Sequence, residues 1–178
     1  AAHGNYDRPE WQCEVWRSIV HDRAFVLCPR GVRRTDSPSN DDIRFTYDGG
    51  DAMTREIDAG LEALRTRYSE FVYDEASDEV LYTGFSLGAI SGVSFVLRAP
   101  AKFPRLVLTE GSHGQWSPAA VHQFATKGGR RVLFACGQPS CVTMSNNVAS
   151  VMTKKGLAVK VVHGKGVGHG YDGPVADE

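Results

Sequence analysis

The sequence has no strong excess of charge of either sign and no long hydrophobic run. With 20 basic and 21 acidic side chains, its formal net charge is −1, which gives no electrostatic reason to expect nucleic acid or an anionic membrane as a partner. The longest apolar run, around residues 93–97, is far too short to cross a bilayer. No internal linker or repeat is visible. These absences predict one globular domain over residues 1–178, with residues 1–23 as an N-terminal extension.

Cysteine is scarce and shows no metal-binding spacing. None of the four cysteines forms a C-x-x-C pair, and no histidine lies at zinc-finger spacing, so no metal is expected. The turn-forming stretch "GQPS" separates Cys136 from Cys141 and predicts a disulfide between them, which leaves Cys13 to pair with Cys28. Two disulfides favour an exported protein; four buried thiols in a cytosolic one are the alternative. No signal peptide is visible at Ala1, but a mature chain would have lost it.

The apolar residues that are present form short unbroken runs, which are typical of strands buried on both faces. These runs cover residues 24–28, 80–85, 105–109, 131–136 and 158–162, with a weaker one at 43–47. Helical patterns cover 52–72, 87–98, 117–127 and 142–155. The alternation predicts an α/β fold with a mostly parallel sheet of about six strands, helices on both faces and no large lid. The chain ends soon after the last strand, so a closing helix is expected to be missing.

The stretch "VLYTGFSLGAISG" places Ser86 between two glycines, where a predicted strand meets a predicted helix. Such a turn lifts a serine hydroxyl out of the sheet at the carboxyl ends of the strands, and it needs small residues two before and two after the serine. Gly84 and Gly88 meet that need. The pattern predicts Ser86 as a nucleophile; a serine in a purely structural turn is the alternative.

A serine nucleophile needs a base, and the segment after the last strand offers two histidines. His163 lies at the strand end, whereas His169 lies in a glycine-rich loop from which it can reach across to Ser86. We therefore predict His169 as the base. The glycines of this loop do not fit G-x-G-x-x-G, because His169 occupies the place of the third glycine, so no dinucleotide cofactor is expected.

The order of strand, G-F-S-L-G turn, three further strands and G-x-G-H resembles the α/β-hydrolase fold over residues 24–178, and in size the small lidless esterases such as cutinases and dienelactone hydrolases. The resemblance implies Ser86 as nucleophile, His169 as general base, no cofactor, and an oxyanion hole from the Leu87 backbone N–H. The second N–H follows the "AFVLC" strand, where the chain reads "CPRGVRR" and Val32 is favoured.

The expected acid is absent from its usual place. The family carries an Asp after the strand that here reads "RVLFAC", but this chain continues "GQPSC". Glu110 ends the preceding strand, a position where the family is known to carry the acid as a variant, and we predict Glu110 as the acid. The alternative is that Glu110 caps the next helix or pairs with an arginine. Asp172 is a weaker candidate, and a Ser-His dyad without an acid also remains open.

Four further residues are candidates for the pocket: Arg30, Phe85, His113 and Trp116. Arg30 lies in the same loop as Arg33 and Arg34, which either attracts an acidic substrate or is simply solvated. His113 and Trp116 either line the pocket or cover the core.

These patterns predict a serine hydrolase that cleaves carboxylic esters, of small-molecule or polymeric substrates, through an acyl-enzyme. A peptidase or thioesterase would use the same residues. The competing hypothesis is a catalytically impaired binding module, motivated by the missing Asp. The sequence leaves the oligomeric state open.

Overall fold

The computed structural model describes residues 1–71 and 79–177, where strands and helices alternate. Strands β1–β6 span Val32–Arg33, Phe45–Thr46, Leu81–Phe85, Arg105–Thr109, Arg131–Cys136 and Ala158–His163. Helices α1–α6 span Pro9–Val20, Gly50–Arg67, Leu87–Val96, Pro118–Thr126, Pro139–Lys154 and Pro174–Asp177; a 3₁₀ turn covers His113–Gln115. Helices α3–α5 each connect consecutive strands of the main sheet, which confirms the predicted α/β class.

Strands β3–β6 form one parallel sheet in sequential order. In β5, Val132 and Phe134 belong to the main core, whereas Leu133 and Ala135 pack in a smaller cluster with Val175 of α6. Alternate side chains of this strand are thus buried on opposite faces of the sheet, which explains why its apolar run is unbroken.

The parallel sheet has four strands rather than the predicted six or so. Residues 24–28 are described and form no strand; Phe25 is 48% exposed there. In the weaker segment, 43–47, only β2 is a strand, and it pairs antiparallel with β1 outside the main sheet. A strand needs a neighbour for its backbone hydrogen bonds, and local apolar composition does not reveal which neighbour is available.

The helix predictions for α2–α5 are confirmed with shifted ends. Helix α2 ends at Arg67; its predicted end, residue 72, lies outside the described residues. Helix α5 begins at Pro139, three residues before the predicted start. Proline suits the first position of a helix, because an N–H there would have no partner within the helix. The short helix α6, of four residues, follows β6. Among the described residues, no helix is both long and apolar enough to cross a membrane.

Ala2, near the start of the chain, pairs with β3 at the edge of the sheet. The Ala2 N–H donates to the Thr83 carbonyl at 2.8 Å, and the Phe85 N–H donates to the Ala2 carbonyl at 2.9 Å. Ala2 thereby forms a parallel bridge with Gly84. This pairing places the residues that follow Ala2 beside the end of β3, which is where Ser86 lies.

Candidate active site

Ser86 occupies a strained turn between β3 and α3. Its backbone has φ 49° and ψ −112°, a region that costs a non-glycine residue about 1–3 kcal/mol. The turn is fixed because the Ser86 N–H donates to the Thr109 carbonyl of β4 at 2.9 Å. The strain therefore presents the hydroxyl at the carboxyl end of the sheet, as the sequence pattern predicts.

The glycines on either side of Ser86 are required by close packing. A Cβ on Gly84 would lie 2.7 Å from the Ala89 nitrogen, inside the turn. A Cβ on Gly88 would collide with the Ala2 carbonyl oxygen of the N-terminal segment. Gly84 therefore lets the turn close, and Gly88 lets the N-terminal segment dock against α3.

The structure brings Ser86, His169 and Glu110 into one hydrogen-bonded chain. His169 Nε2 lies 3.0 Å from Ser86 Oγ, and His169 Nδ1 lies 3.2 Å from Glu110 Oε2. A carboxylate can only accept hydrogen bonds, so a neutral His169 carries its proton on Nδ1 and turns the Nε2 lone pair toward the serine hydroxyl. This is the arrangement that a serine nucleophile and its base require.

The Glu110 carboxylate is buried and held on both oxygens. Its side chain is 1% exposed, against 48% for His169. Oε1 accepts hydrogen bonds from the backbone N–H groups of Gly137, at 2.5 Å, and Gln138, at 2.8 Å. Glu110 has a positive φ of 53°, which turns it out of the β4 geometry. The buried carboxylate thus has partners on both oxygens and a fixed orientation.

The loop that carries His169 is anchored by aromatic packing and one hydrogen bond. The Phe85 ring lies 5.1 Å from the His169 ring and 4.6 Å from the Tyr171 ring, between centroids. The Tyr171 hydroxyl donates to Asp7 Oδ1 at 3.3 Å. Burial, with a smaller contribution from Asp7, raises the pKa of Tyr171, so the hydroxyl stays protonated and remains a donor.

Asp7 also shapes the N-terminal loop, residues 4–7, beside the serine. Its Oδ2 accepts from the Gly4 N–H at 3.1 Å, and a Cβ on Gly4 would lie 3.4 Å from Ser86 Cβ. The next backbone N–H, that of Asn5, donates no hydrogen bond to any described residue. Gly4 therefore packs against Phe85 and Ser86, and Asn5, whose N–H is left without a partner among the described residues, is the next residue of this loop.

Leu87 and Val32, the two predicted oxyanion donors, lie in different places. Leu87 is the first residue of α3, where a helix N–H has no intrahelical partner. Val32 lies in β1 opposite Thr46. Since the Arg34 N–H donates to Arg44, and hydrogen-bonded pairs recur every second residue in an antiparallel ladder, the Val32 N–H faces Thr46. Val32 does not fit the oxyanion role.

No family model matches the chain, and no curated protein matches it. Several solved structures match the chain.

SOBER1 from Arabidopsis thaliana is 12% identical with a TM-score of 0.64, and the match covers 99% of this chain and 91% of SOBER1. Esterase PE8 is 17% identical with a TM-score of 0.60, covering 99% and 86%. An uncharacterized protein from Bacillus cereus is 15% identical with a TM-score of 0.63. The match covers 99% of this chain, which spans only 55% of the length of that protein. The chain has the α/β-hydrolase fold.

Among the described residues, Arg30, His113 and Trp116 make no hydrogen bond or ring contact with Ser86, His169 or Glu110. The Arg30 guanidinium stacks over Phe45 at 5.1 Å from the ring centroid. Trp116 is 6% exposed and packs edge-on against Phe124, so it covers the core. His113 is half-buried in the 3₁₀ turn, and its Nδ1 has no partner among the described residues.

Within the described residues, neither Asp172 nor His163, the alternatives for the acid and the base, is hydrogen-bonded to Ser86, His169 or Glu110. Asp172 is exposed and makes no hydrogen bond to His169 within the described residues. His163 ends β6 opposite Cys136 in the strand register. The rigid strand holds His163, whereas the loop carries His169 to the serine.

Both predicted disulfides are formed. Cys13 is bonded to Cys28, and Cys136 to Cys141. The first joins α1 to the segment that precedes β1. The second joins the end of β5 to the first turn of α5, beside Glu110.

The N-terminal loop is the part of the site that sequence reasoning missed. His3 and Gly4 follow Ala2, and the His3 ring contacts the carbonyl oxygens of Gly4 and Arg30 at 2.7 and 2.9 Å. The available signal was a His-Gly pair followed by Asp7, a residue that commonly accepts backbone N–H bonds in turns. Two apolar residues before it are too few to predict a strand, so the pattern gave no reason to place it beside β3.

Proposed function

We propose that the protein is a serine hydrolase of carboxylic esters, with Ser86 as nucleophile, His169 as general base and Glu110 as the acid. One observation carries the proposal: the continuous chain from Ser86 Oγ through His169 to Glu110, with contacts of 3.0 and 3.2 Å. The strained turn at Ser86 supports it, because such strain is typical of positions where a side chain must be presented to a substrate.

The reaction follows from the orientation of these groups. Ser86 Oγ attacks the ester carbonyl carbon while its proton passes to His169 Nε2, and Glu110 stabilises the imidazolium that forms. The Leu87 and Asn5 N–H groups bind the oxyanion. The intermediate collapses with transfer of the Nε2 proton to the departing alkoxide. Water then attacks the acyl-serine by the same route, giving the carboxylic acid and restoring Ser86.

The exposure of the base favours substrates that need no enclosed pocket. The His169 side chain is 48% exposed, so short-acyl esters, or esters displayed on a polymer, are the proposed substrates. Esterase PE8, named as an esterase, shares the fold. Export to an oxidising compartment is part of the proposal, because both disulfides would be reduced in most cytosols.

The binding-module hypothesis was motivated by the missing Asp after β5. Glu110 supplies a carboxylate to His169 from the end of β4 instead, which favours an enzyme. Thioesterase and peptidase activities use the same groups, so the ratio of kcat/KM values on matched esters, thioesters and amides distinguishes them.

A fluorophosphonate probe tests the proposal directly, since it labels activated serines. We expect labelling of the wild type on the peptide that contains Ser86, none in Ser86→Ala, and strongly slowed labelling in His169→Ala. Ser91→Ala, a change on α3 outside the triad, is the matched control and should label like the wild type. Equal labelling of Ser86→Ala and wild type would disprove the assignment.

A further inference from the structure

We propose that the disulfide loop, residues 137–140 closed by Cys136–Cys141, is the element that positions Glu110 and so sets kcat, with little effect on KM. This inference rests on the proposed function. The place after β5 where the family carries its acid holds this loop instead. The loop donates hydrogen bonds to Glu110, the proposed acid, which directly follows β4.

The loop holds Glu110 with its first two residues. Gly137 and Gln138 both direct their N–H groups at Oε1, at 2.5 and 2.8 Å. Two donors on one oxygen fix the rotation of the carboxylate, and Oε2 is thereby turned to His169 Nδ1. The two sulfur atoms and a Glu110 carboxylate oxygen all lie within 4.8 Å of one another. The disulfide therefore lies beside the acid.

The disulfide is what keeps these two amides in place. Cys136 is held in β5, and its carbonyl accepts from the Gly164 N–H at 2.9 Å. Cys141 lies in the first turn of α5, whose N-cap, Gln138, makes no side-chain cap. Between these two fixed points the bond closes a loop with a sequence separation of only five residues. A ring that short leaves the 137–138 peptide little freedom to rotate away from Glu110.

Freeing the loop should affect catalysis rather than substrate binding. The amides contact the acid, which lies behind His169 as seen from Ser86, so the expected loss is in orientation of the imidazole. Gly137 and Gln138 are positioning residues; they act through Glu110. We expect kcat to fall about 10–100-fold, the range typical of residues that orient metal ligands, with KM changed less than about twofold.

The experiment compares Cys136→Ala/Cys141→Ala with Cys13→Ala/Cys28→Ala, using hydrolysis of p-nitrophenyl acetate. The second pair is a matched control, because its sequence separation is 15 and the loop-entropy model assigns it the larger stability loss. If activity merely followed stability, the control would lose more. We expect the control to keep kcat within about twofold; an equal or greater loss of kcat in the control would overturn the proposal.

A double-mutant cycle tests whether the loop acts through Glu110. Contacting residues that act as one unit show non-additive effects. The effect of Cys136→Ala/Cys141→Ala on log kcat should fall by more than half when it is measured in a Glu110→Gln background. A smaller reduction would mean that the loop affects catalysis by another route, and the proposal would be wrong.

Hydrogen exchange of the Gly137 and Gln138 amides separates this proposal from the proposed function, because it needs no turnover. In the wild type both amides should be protected, and in Cys136→Ala/Cys141→Ala their exchange should rise at least tenfold while the core of β5 stays protected. Unchanged protection of both amides overturns the proposal even if the enzyme is active. A wild type without esterase activity but with disulfide-dependent protection would refute the proposed function alone.

Discussion

At the residue scale, one carboxylate decides whether His169 presents a lone pair or a proton to Ser86. Glu110→Gln should keep its oxygen toward the Gly137 and Gln138 N–H groups and so direct its NH₂ at His169 Nδ1. Nδ1 would then have to accept, and Nε2 would carry the proton. We expect kcat to fall about 10⁴-fold, as in the serine-protease change of the same kind.

The measurement is kcat for p-nitrophenyl acetate, with Asp172→Asn as the control. Asp172 is exposed and makes no hydrogen bond to His169 within the described residues, so its variant should stay within about twofold of wild type, as surface changes usually do. A collapse of Asp172→Asn beside a near-normal Glu110→Gln would reverse the assignment of the acid.

The Asn5 N–H is a second single-residue hypothesis. Asn5→Pro removes this donor, whereas Asn5→Ala keeps it and removes only the side chain. Loss of one oxyanion donor typically lowers kcat about 10²–10³-fold; Asn5→Ala should remain within about tenfold of wild type. Both variants are compared at equal folded fraction by circular dichroism. A folded Asn5→Pro with wild-type kcat would exclude the Asn5 N–H.

At the scale of elements, the site depends on α3 and the N-terminal segment lying in contact. A Cβ on Gly88 would collide with the Ala2 carbonyl, and the loop that begins at Gly4 follows directly. Gly88→Ala should therefore lower the free energy of unfolding by about 1–3 kcal/mol, the usual cost of overpacking, and also reduce activity.

Urea denaturation measures this loss, and Gly114→Ala is the matched glycine control. A Cβ at Gly114 meets nothing within 4 Å, so the free energy of unfolding should change by less than about 0.5 kcal/mol. Equal midpoints for wild type and Gly88→Ala would show that the N-terminal segment does not pack on α3 as described.

At the scale of the whole molecule, Tyr171 and Asp7, 164 positions apart in the chain, are joined by a hydrogen bond beside the site. The pKa of Tyr171 is raised above its ordinary value of 10.0, chiefly by burial. Above pH 10 the unfolded chain loses this proton before the folded one does, so the native state binds more protons. Stability should thus be insensitive to this group below pH 10 and fall as the pH rises above it.

Tyr171→Phe tests this linkage. The variant lacks the titrating hydroxyl, so its free energy of unfolding should fall less steeply between pH 9.5 and 11.5 than that of wild type. The difference in slope corresponds to at most about one bound proton. At neutral pH it should lose about 1 kcal/mol for the missing hydrogen bond to Asp7. Parallel slopes for the two proteins would mean that the hydroxyl is not buried against Asp7.

The sequence by itself determined the parallel βαβ order and the turn at Ser86, and it predicted that His169, rather than His163, reaches Ser86. These follow from local rules: apolar runs that are buried on both faces, small residues around a strained turn, and a loop's freedom to reach where a strand end cannot. It also indicated both disulfides, because a short turn between Cys136 and Cys141 limits the possible pairs.

Only the tertiary structure decided which residues from distant parts of the sequence lie next to Ser86 and Glu110. Glu110 is an ordinary strand-end carboxylate until the Gly137 and Gln138 amides, 27 and 28 positions away, fix its orientation. Val32 was favoured by analogy with the family's loop after the predicted strand at 24–28, but those residues form no strand and Val32 pairs with Thr46 instead. The pairing of Ala2 with Gly84 brings Gly4 beside Ser86. Strand neighbours are set by backbone hydrogen bonds between segments far apart in the chain, and local composition carries little information about them.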